Sequence, residues 1–352
     1  MPALARHMQA QAAPAMKPNA FAFLLLVVFK CAVCAAQPEL IEVRKVWDAA
    51  PHSAFTDLVR HCGEWFMTFR EGSGHVSTDG AIRVLASKDG TNWSSSALLK
   101  VSGQDLRDSK LSVMPDGHLH LLTCGANRIT NGGPATIHQP MAAISKDGRE
   151  WSTLVPVADE NVWLWRVTWN GPKAYGVSYD TGKRSPAKPL VTSRLWSTED
   201  GLHFKAASQP MLTNGMPTEA TLAFQTDGTA LCLQRRDGPA PSHALLGKAK
   251  PPYDAWTWQD LGTFFGGPHF IQIPDGRWIA CGRIHGSDAK RAAKTIVCEL
   301  DLAGGKLVPL LTLPSGGDTS YPGLVWHEGQ LWISYYSSHE KKTAIYLARV
   351  RL

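Results

Sequence analysis

Ser87-Lys88-Asp89-Gly90-Thr91-Asn92-Trp93 recurs as Ser145-Lys146-Asp147-Gly148-Arg149-Glu150-Trp151 and, in a worn copy, as Ser197-Thr198-Glu199-Asp200-Gly201-Leu202-His203-Phe204. The second copy begins 58 residues after the first, and the third begins 52 after the second. A period of this length marks a fold built by repetition, so it decides the fold class. Each copy has a mechanism: Asp-Gly makes a tight turn between strands, Ser caps it, and the aromatic residue pins the turn to the sheet. One copy describes an ordinary hairpin with a Trp after it. Three at near-constant spacing describe a repeated unit.

Working outward, a second device recurs: a glycine in a turn between two strand-like runs, at Gly63, Gly117, Gly171, Gly228, Gly276 and Gly329. The intervals are 54, 54, 57, 48 and 53 residues. Alternating apolar residues flank each turn, as in Leu111-Ser112-Val113 before Gly117 and His118-Leu119-His120-Leu121-Leu122 after it. Units of about 50 residues with four strands each predict an all-β, six-bladed β-propeller, in which radial repetition protects the sheet edges and leaves a central mouth for ligands. The three copies then fall between the later strands of units one, two and three, and Trp256-Thr257-Trp258 is their trace in unit four. A strand at Leu40 to Val46 is expected to complete the last blade. A pair of all-β sandwiches is the alternative architecture.

Bulk properties agree. At 352 residues and 44% hydrophobic content the chain can bury a large core, and 31 Gly, 23 Pro and 13 Trp suit many short strands joined by tight turns. The formal charge of +6 is spread along the chain rather than gathered in runs, which argues against a nucleic-acid partner and suits anionic sugars. At the N-terminus, Arg6 and Lys17 precede the apolar run Ala20 to Phe29 and the small residues Cys31 to Ala36. That layout predicts a signal peptide over 1–36, cleavage after Ala36, and a secreted or periplasmic domain over 37–352. The run is short for a membrane span and Lys30 interrupts it, so no span is expected in the mature chain; Cys31-Ala32-Val33 is a poor lipobox for an anchor on Cys34. Five cysteines remain (Cys62, Cys124, Cys232, Cys281, Cys298), without CxxC spacing. No zinc site follows; Cys124, Cys232 and Cys281 fall in apolar runs expected in the core, and a disulfide stays open.

Counting from each turn glycine compares the units. Seven positions on stand Arg70, Cys124, Ser178, Arg235, Arg283 and Tyr336. A single Arg is a solvated surface group; three at one level point to a cationic pocket, and Arg suits planar capture of a carboxylate. Nine positions before the glycine come Asp108 and Glu219, and eight before it Tyr321, polar groups where inner strands begin. Asp57, Asp79, His52 and His269 are candidates for the same mouth.

With these features in place, the chain resembles the sialidase (neuraminidase) superfamily over roughly residues 40 to 352, and the three repeats resemble its Asp-box. Pro217-Thr218-Glu219-Ala220-Thr221-Leu222 is similar to the strand start bearing the family's Glu, with Arg235 following 16 residues on. Thr319-Ser320-Tyr321-Pro322-Gly323-Leu324 is similar to the segment of the nucleophilic Tyr. Phe69-Arg70-Glu71-Gly72 leads to Thr78-Asp79-Gly80, where Asp79 matches the acid/base Asp. The resemblance implies a retaining exo-glycosidase with Tyr321 as nucleophile, Glu219 as its base, Asp79 as acid/base, and Arg235, Arg283 and Arg70 holding a carboxylate; the register count adds Asp108 as a candidate substrate contact. Two departures stand out. The family's Phe/Tyr-Arg-Ile-Pro opening is replaced by His52-Ser53-Ala54-Phe55-Thr56-Asp57, and Tyr336 and Ser337 stand where a supporting Glu belongs. Arg70 is a candidate to supply the missing charge, and Arg291 competes with Arg283 for the third arginine. The expected function is an exported exo-acting hydrolase of a terminal acidic sugar, sialic acid among the candidates, on a glycan or glycoconjugate. It needs no cofactor or metal. The alternative is a non-catalytic carbohydrate-binding propeller. Oligomeric state is not specified.

Overall fold

The computed structural model describes residues 37–127, 137–182, 191–285 and 292–352, and every regular element in it is a β-strand. The expected signal segment and Arg291 lie outside the described residues. β1 (Glu39–Trp47) precedes the first blade, which comprises β2 (His52–His61), β3 (Glu64–Gly72), β4 (Ala81–Ser87) and β5 (Ser94–Leu99). Blade two is β6 (Asp105–Val113), β7 (Leu119–Asn127), β8 (Ile137–Ser145) and β9 (Val155–Pro156); blade three is β10 (Val162–Asn170), β11 (Lys173–Asp180), β12 (Ser193–Thr198) and β13 (Lys205–Ala206). Blade four is β14 (Pro217–Phe224), β15 (Ala230–Arg236), β16 (Leu245–Ala249) and β17 (Thr257–Asp260). Blade five is β18 (Gly266–Gln272), β19 (Trp278–His285), β20 (Ala293–Asp301) and β21 (Lys306–Thr312), and blade six is β22 (Thr319–His327), β23 (Gln330–Ser337) and β24 (Ala344–Arg351). Each blade is one four-stranded sheet, and β1 supplies the fourth strand of blade six by pairing antiparallel with β24. The molecule is a six-bladed β-propeller closed by its own N-terminal strand, not a pair of sandwiches.

Six separate apolar clusters hold the ring, one at each blade interface. Phe66, Ile82 and Val84 of blade one meet Leu106, Leu121 and Met141 of blade two. Ile279, Cys281 and Val297 of blade five meet Leu324, Ile333 and Tyr346 of blade six, and Cys124, Cys232 and Cys281 are all buried as expected. Neighbouring sheets thus pack face to face through residues that alternate along each strand. Among the described residues no helix is long and apolar enough to cross a membrane.

All six turn glycines have positive φ, from 60° at Gly171 to 93° at Gly276. Blades one, three and six use two-residue turns, where His61 faces Glu64, Asn170 faces Lys173 and His327 faces Gln330. Blades two, four and five use longer ones, Val113 facing Leu119 for example. This difference shifts any register counted from the glycines.

The three repeats form one turn, between the third and fourth strands of blades one to three. The Asp89 carboxylate accepts the amides of Thr91 and Asn92 at 2.7 and 2.8 Å, and Ser87 Oγ accepts that of Gly90. Asp147 and Asp200 repeat the arrangement. In the third copy the capping hydroxyl is Thr198, so its register starts one residue later than the sequence suggests. Trp93 and Trp151 each donate an indole hydrogen bond to the glycine carbonyl three residues back, and Trp256 does the same to Tyr253, whose φ of 68° copies the glycine conformation. The turns lie against the preceding blade. A Cβ on Gly90 would stand 2.5 Å from the Trp332 ring, and one on Gly148 would stand 2.2 Å from that of Phe66.

Candidate active site

The first strands of neighbouring blades touch around the axis, and each carries a two-residue bulge near its start. A bulge bends its strand and re-aims a side chain. The bulged pairs are Phe55-Thr56, Asp108-Ser109, Trp165-Arg166, Thr218-Glu219, Gly267-Pro268 and Tyr321-Pro322. Four of them open on a left-handed residue: Phe55 (φ 64°), Asp108 (54°), Gly267 (58°) and Tyr321 (52°).

These bulges bring Tyr321 of blade six to Glu219 of blade four. The Tyr321 hydroxyl donates to Glu219 Oε1, and Arg235 Nη1 donates to both, at 2.7 Å to the carboxylate and 3.1 Å to the phenol. Gly267 N–H donates to Glu219 Oε2 at 2.7 Å. No other residue fits at 267, because a Cβ would lie 2.9 Å from the Tyr321 ring. The phenol is walled by Phe55 and Trp165, each 5.3 Å away between ring centroids, and by Tyr336 at 5.8 Å. Arg283 lies over the Tyr321 ring at 5.4 Å, and its buried Nε has no hydrogen-bond partner.

Electrostatics keep the phenolic proton on Tyr321 at rest. Burial, with Glu219 beside it, pushes the phenol well above its ordinary range. Burial alone would also raise Glu219, but Arg235 and Arg283 outweigh it and hold the carboxyl below its usual value. Burial raises Asp108, which stands in the same field of Glu219 and Tyr321. Below the cluster, Lys110 stands 4.7 Å over the Trp165 ring and is pushed down to about 8 by burial and by Arg166.

The sequence-derived candidates divide. Tyr321, Glu219, Arg235 and Arg283 converge, and Asp108 stands within electrostatic reach of Tyr321 and Glu219. Arg70 does not: it is fully buried, with Nε donating to Asp105 at 2.7 Å, Nη1 to the Gly74 carbonyl and Nη2 to Ser77. The cause is one residue on the next blade. Asp105 lies twelve positions before its turn glycine; the matching residues ahead of Arg235 and Arg283 are Phe264 and Gly317, which offer no carboxylate. Arg235 instead stacks on Phe264 at 5.3 Å and donates from Nε to Asp237 of its own blade at 2.9 Å.

Asp79 also lies elsewhere. It is exposed on the β3–β4 loop, accepting from the amide and hydroxyl of Ser73 at 3.1 Å. Asp57 is buried deeper along the axis, where it accepts from Arg166 and from the Leu111 amide at 2.8 Å. His269 is a buried acceptor for the Leu324 amide. Phe55, Trp165 and Gly267 were not legible as site residues, although Gly267 and Phe55 stand nine and eight positions before their glycines, as Glu219 and Tyr321 do.

At the start of blade one stands a different cluster. Asp318 Oδ2 accepts from His75 Nδ1 at 2.6 Å and from His52 Nε2 at 3.1 Å, while Tyr336 donates to Oδ1 at 2.8 Å. His75 meets Phe55 edge-on at 5.4 Å, one ring away from Tyr321.

No family model matches this sequence, and no curated protein does. Its fold is similar to that of many solved structures. A protein of unknown function from Dyadobacter fermentans superposes with a TM-score of 0.77 at 17% identity, covering 90% of this chain and 99% of that one. An α-L-arabinanase of Penicillium chrysogenum, solved with arabinobiose, gives 0.62 at 15%, covering 85% and 93%. The sialidase of Trypanosoma rangeli gives 0.61 at 13%, covering 90% of this chain and 60% of its own length. The chain shares the propeller of these glycoside hydrolases.

Proposed function

We propose that this chain is an exported, retaining exo-glycosidase acting on a terminal acidic sugar. The observation that carries this reading is the Tyr321–Glu219 hydrogen bond between two blades, with Arg235 on both partners. A phenol is neutral until it attacks, so an anionic substrate does not repel it, as it would repel a carboxylate nucleophile. Arg235 and Arg283 supply the charge that receives the substrate carboxylate.

The same two arginines explain when the nucleophile fires. While free, they depress Glu219 and keep it a poor base. An anion bound to them offsets their charge, Glu219 becomes more basic, and the phenolic proton passes to it as the Tyr321 oxygen bonds the anomeric carbon. The glycosidic C–O bond breaks, and its oxygen takes a proton from Asp108, whose carboxyl burial pushes up. In the second half, water attacks the anomeric carbon, gives a proton to Asp108, and releases Tyr321, which recovers its proton from Glu219. Asp108 thus takes the role that the family resemblance gives to Asp79.

The test is hydrolysis of 4-methylumbelliferyl glycosides of sialic acid, other ulosonic acids, uronic acids and, given the arabinanase fold neighbour, arabinose. One acidic glycoside should be cut, and Tyr321→Phe should lose at least about 10³-fold in turnover with an unchanged unfolding midpoint. Cleavage of the arabinoside alone would remove the acidic-sugar assignment. Glycan-array binding without turnover would make the chain a carbohydrate-binding propeller instead.

A further inference from the structure

We infer that His52, His75 and Asp318 form a site for a divalent transition-metal ion of the zinc class, clasping the seam where the ring closes. The inference does not depend on the glycosidase reading. His52 begins β2 and His75 lies on the β3–β4 loop, both in blade one, whereas Asp318 precedes β22 of blade six. Sequence spacing gives no hint of such a site, since 23 and 243 residues separate the three. In the fold their donor atoms, His52 Nε2, His75 Nδ1 and Asp318 Oδ2, all lie within 4.8 Å of one another.

Two imidazoles and one carboxylate are the ligand set that suits zinc and its neighbours, whereas calcium and magnesium favour oxygen throughout. Ligand atoms about 2.1 Å from a four-coordinate ion stand roughly 3.4 Å apart. The present contacts of 2.6 and 3.1 Å are those of hydrogen bonds, so Asp318 must stand back by roughly 0.8 Å from His75 and roughly 0.3 Å from His52 as an ion replaces the shared protons. The surroundings already fix the ligands. Tyr336 holds the second carboxylate oxygen, Ser338 Oγ accepts the Asp318 amide at 2.9 Å, and Arg107 grips the His75 carbonyl at 2.6 Å. Such outer contacts orient ligands and raise affinity. His52 is nearly buried, while half of the His75 side chain is exposed, which leaves the fourth position open to solvent. When Nε2 of His52 ligates, its buried Nδ1 carries the proton and has no partner, a cost the site bears.

The seam gives the ion a purpose. β1 closes blade six, and His52 bridges to Thr343 beside it, so an ion held by both blades ties the ring where no covalent bond does.

The test uses the full chain without a histidine tag, stripped with chelator and titrated with zinc chloride by calorimetry. One equivalent should bind saturably and raise the melting temperature. His75→Ala, a change at a half-exposed side chain, should weaken binding at least ~10-fold and abolish the thermal shift, and Asp318→Asn should do the same. Surface His-Asp pairs such as His118–Asp116 and His203–Asp200 also attract zinc, so equal binding by wild type and His75→Ala would overturn the assignment. Absence of saturable binding by the wild-type chain would overturn it too.

Discussion

The propeller uses one backbone state at its outer turns and at its inner bulges and fills it differently. At the outer turns of blades one to four, the left-handed positions are Gly90, Gly148, Gly201 and Tyr253, with φ between 68° and 75°. At the inner bulges they are Phe55, Asp108, Gly267 and Tyr321, with φ between 52° and 64°. Outside, glycine holds three of four positions and adopts this state without strain. Inside, side chains hold three of four, each at a cost of about 1–3 kcal/mol. The outer turns therefore serve the scaffold. The inner strain is placed where a phenol and a carboxyl must converge on the axis, and the six inter-blade clusters hold it there.

The sharpest break of this division falls on Arg70, which has the strand position of Arg235 and Arg283 but the surroundings of a scaffold residue. Arg70→Met takes from the buried Asp105 carboxylate its 2.7 Å ion-pair partner. Stability should fall by about 3–5 kcal/mol, measured by urea unfolding, while Michaelis constants of the remaining folded enzyme stay unchanged. Arg283→Met should do the reverse, raising the Michaelis constant at little cost to the fold.

Next in size is an acid-sensitive tie on the outer side. His120 is buried, donates from Nε2 to the Gly201 carbonyl at 2.9 Å, and is pushed down to about 4 by burial. A depressed imidazole stays neutral in the fold while the unfolded chain takes up protons below pH about 6.5. Its stabilisation is therefore complete above that pH and is lost as pH falls towards 4, a change of about 3 kcal/mol. His269, also depressed by burial, adds to the same slope. In unfolding midpoints measured from pH 7 to 4, His120→Gln should flatten the decline and leave the part due to His269.

Gly148→Ala probes the outer turn directly. A methyl group forces an L-residue into φ 70° and places carbon 2.2 Å from Phe66 Cε1. A loss of about 2 kcal/mol is expected, with turnover per folded molecule unaltered. Reduced turnover at full stability would mean that the outer turns reach the chemistry after all.

The fold was legible because turns announce themselves chemically: Asp-Gly with a following aromatic, and six glycines at nearly even intervals. The closing strand was legible from the same count. The site was legible only in part, because turn lengths differ between blades and a bulge shifts the register by one. Asp108, Gly267 and Glu219 stand nine positions before their glycines, whereas Phe55 and Tyr321 stand eight before theirs and Trp165 only six. Arg70 looked like its two equivalents because its captor, Asp105, is on another blade. The cluster of His52, His75 and Asp318 had no local signal at all, being assembled by closure of the ring.

The smallest expected effect belongs to Asp79, and it decides where the proton comes from. An acid catalyst must hold its proton at the working pH. Asp79 is exposed, and hydrogen bonds from Ser77 and Ser73 hold its carboxyl below the ordinary range, so it is ionised and has nothing to donate. Asp108 is buried, and burial pushes its carboxyl up, towards the form an acid catalyst needs. Asp79→Asn should change turnover by less than about twofold, as surface substitutions do. Asp108→Asn should cost about 10²–10⁴-fold, and the loss should shrink as the leaving group becomes more acidic, because a stable leaving anion needs no proton. A leaving-group series on both variants measures this directly. The opposite pattern, with Asp79→Asn sensitive to the leaving group and Asp108→Asn not, would return the proton to the loop and leave Asp108 as a strained structural residue.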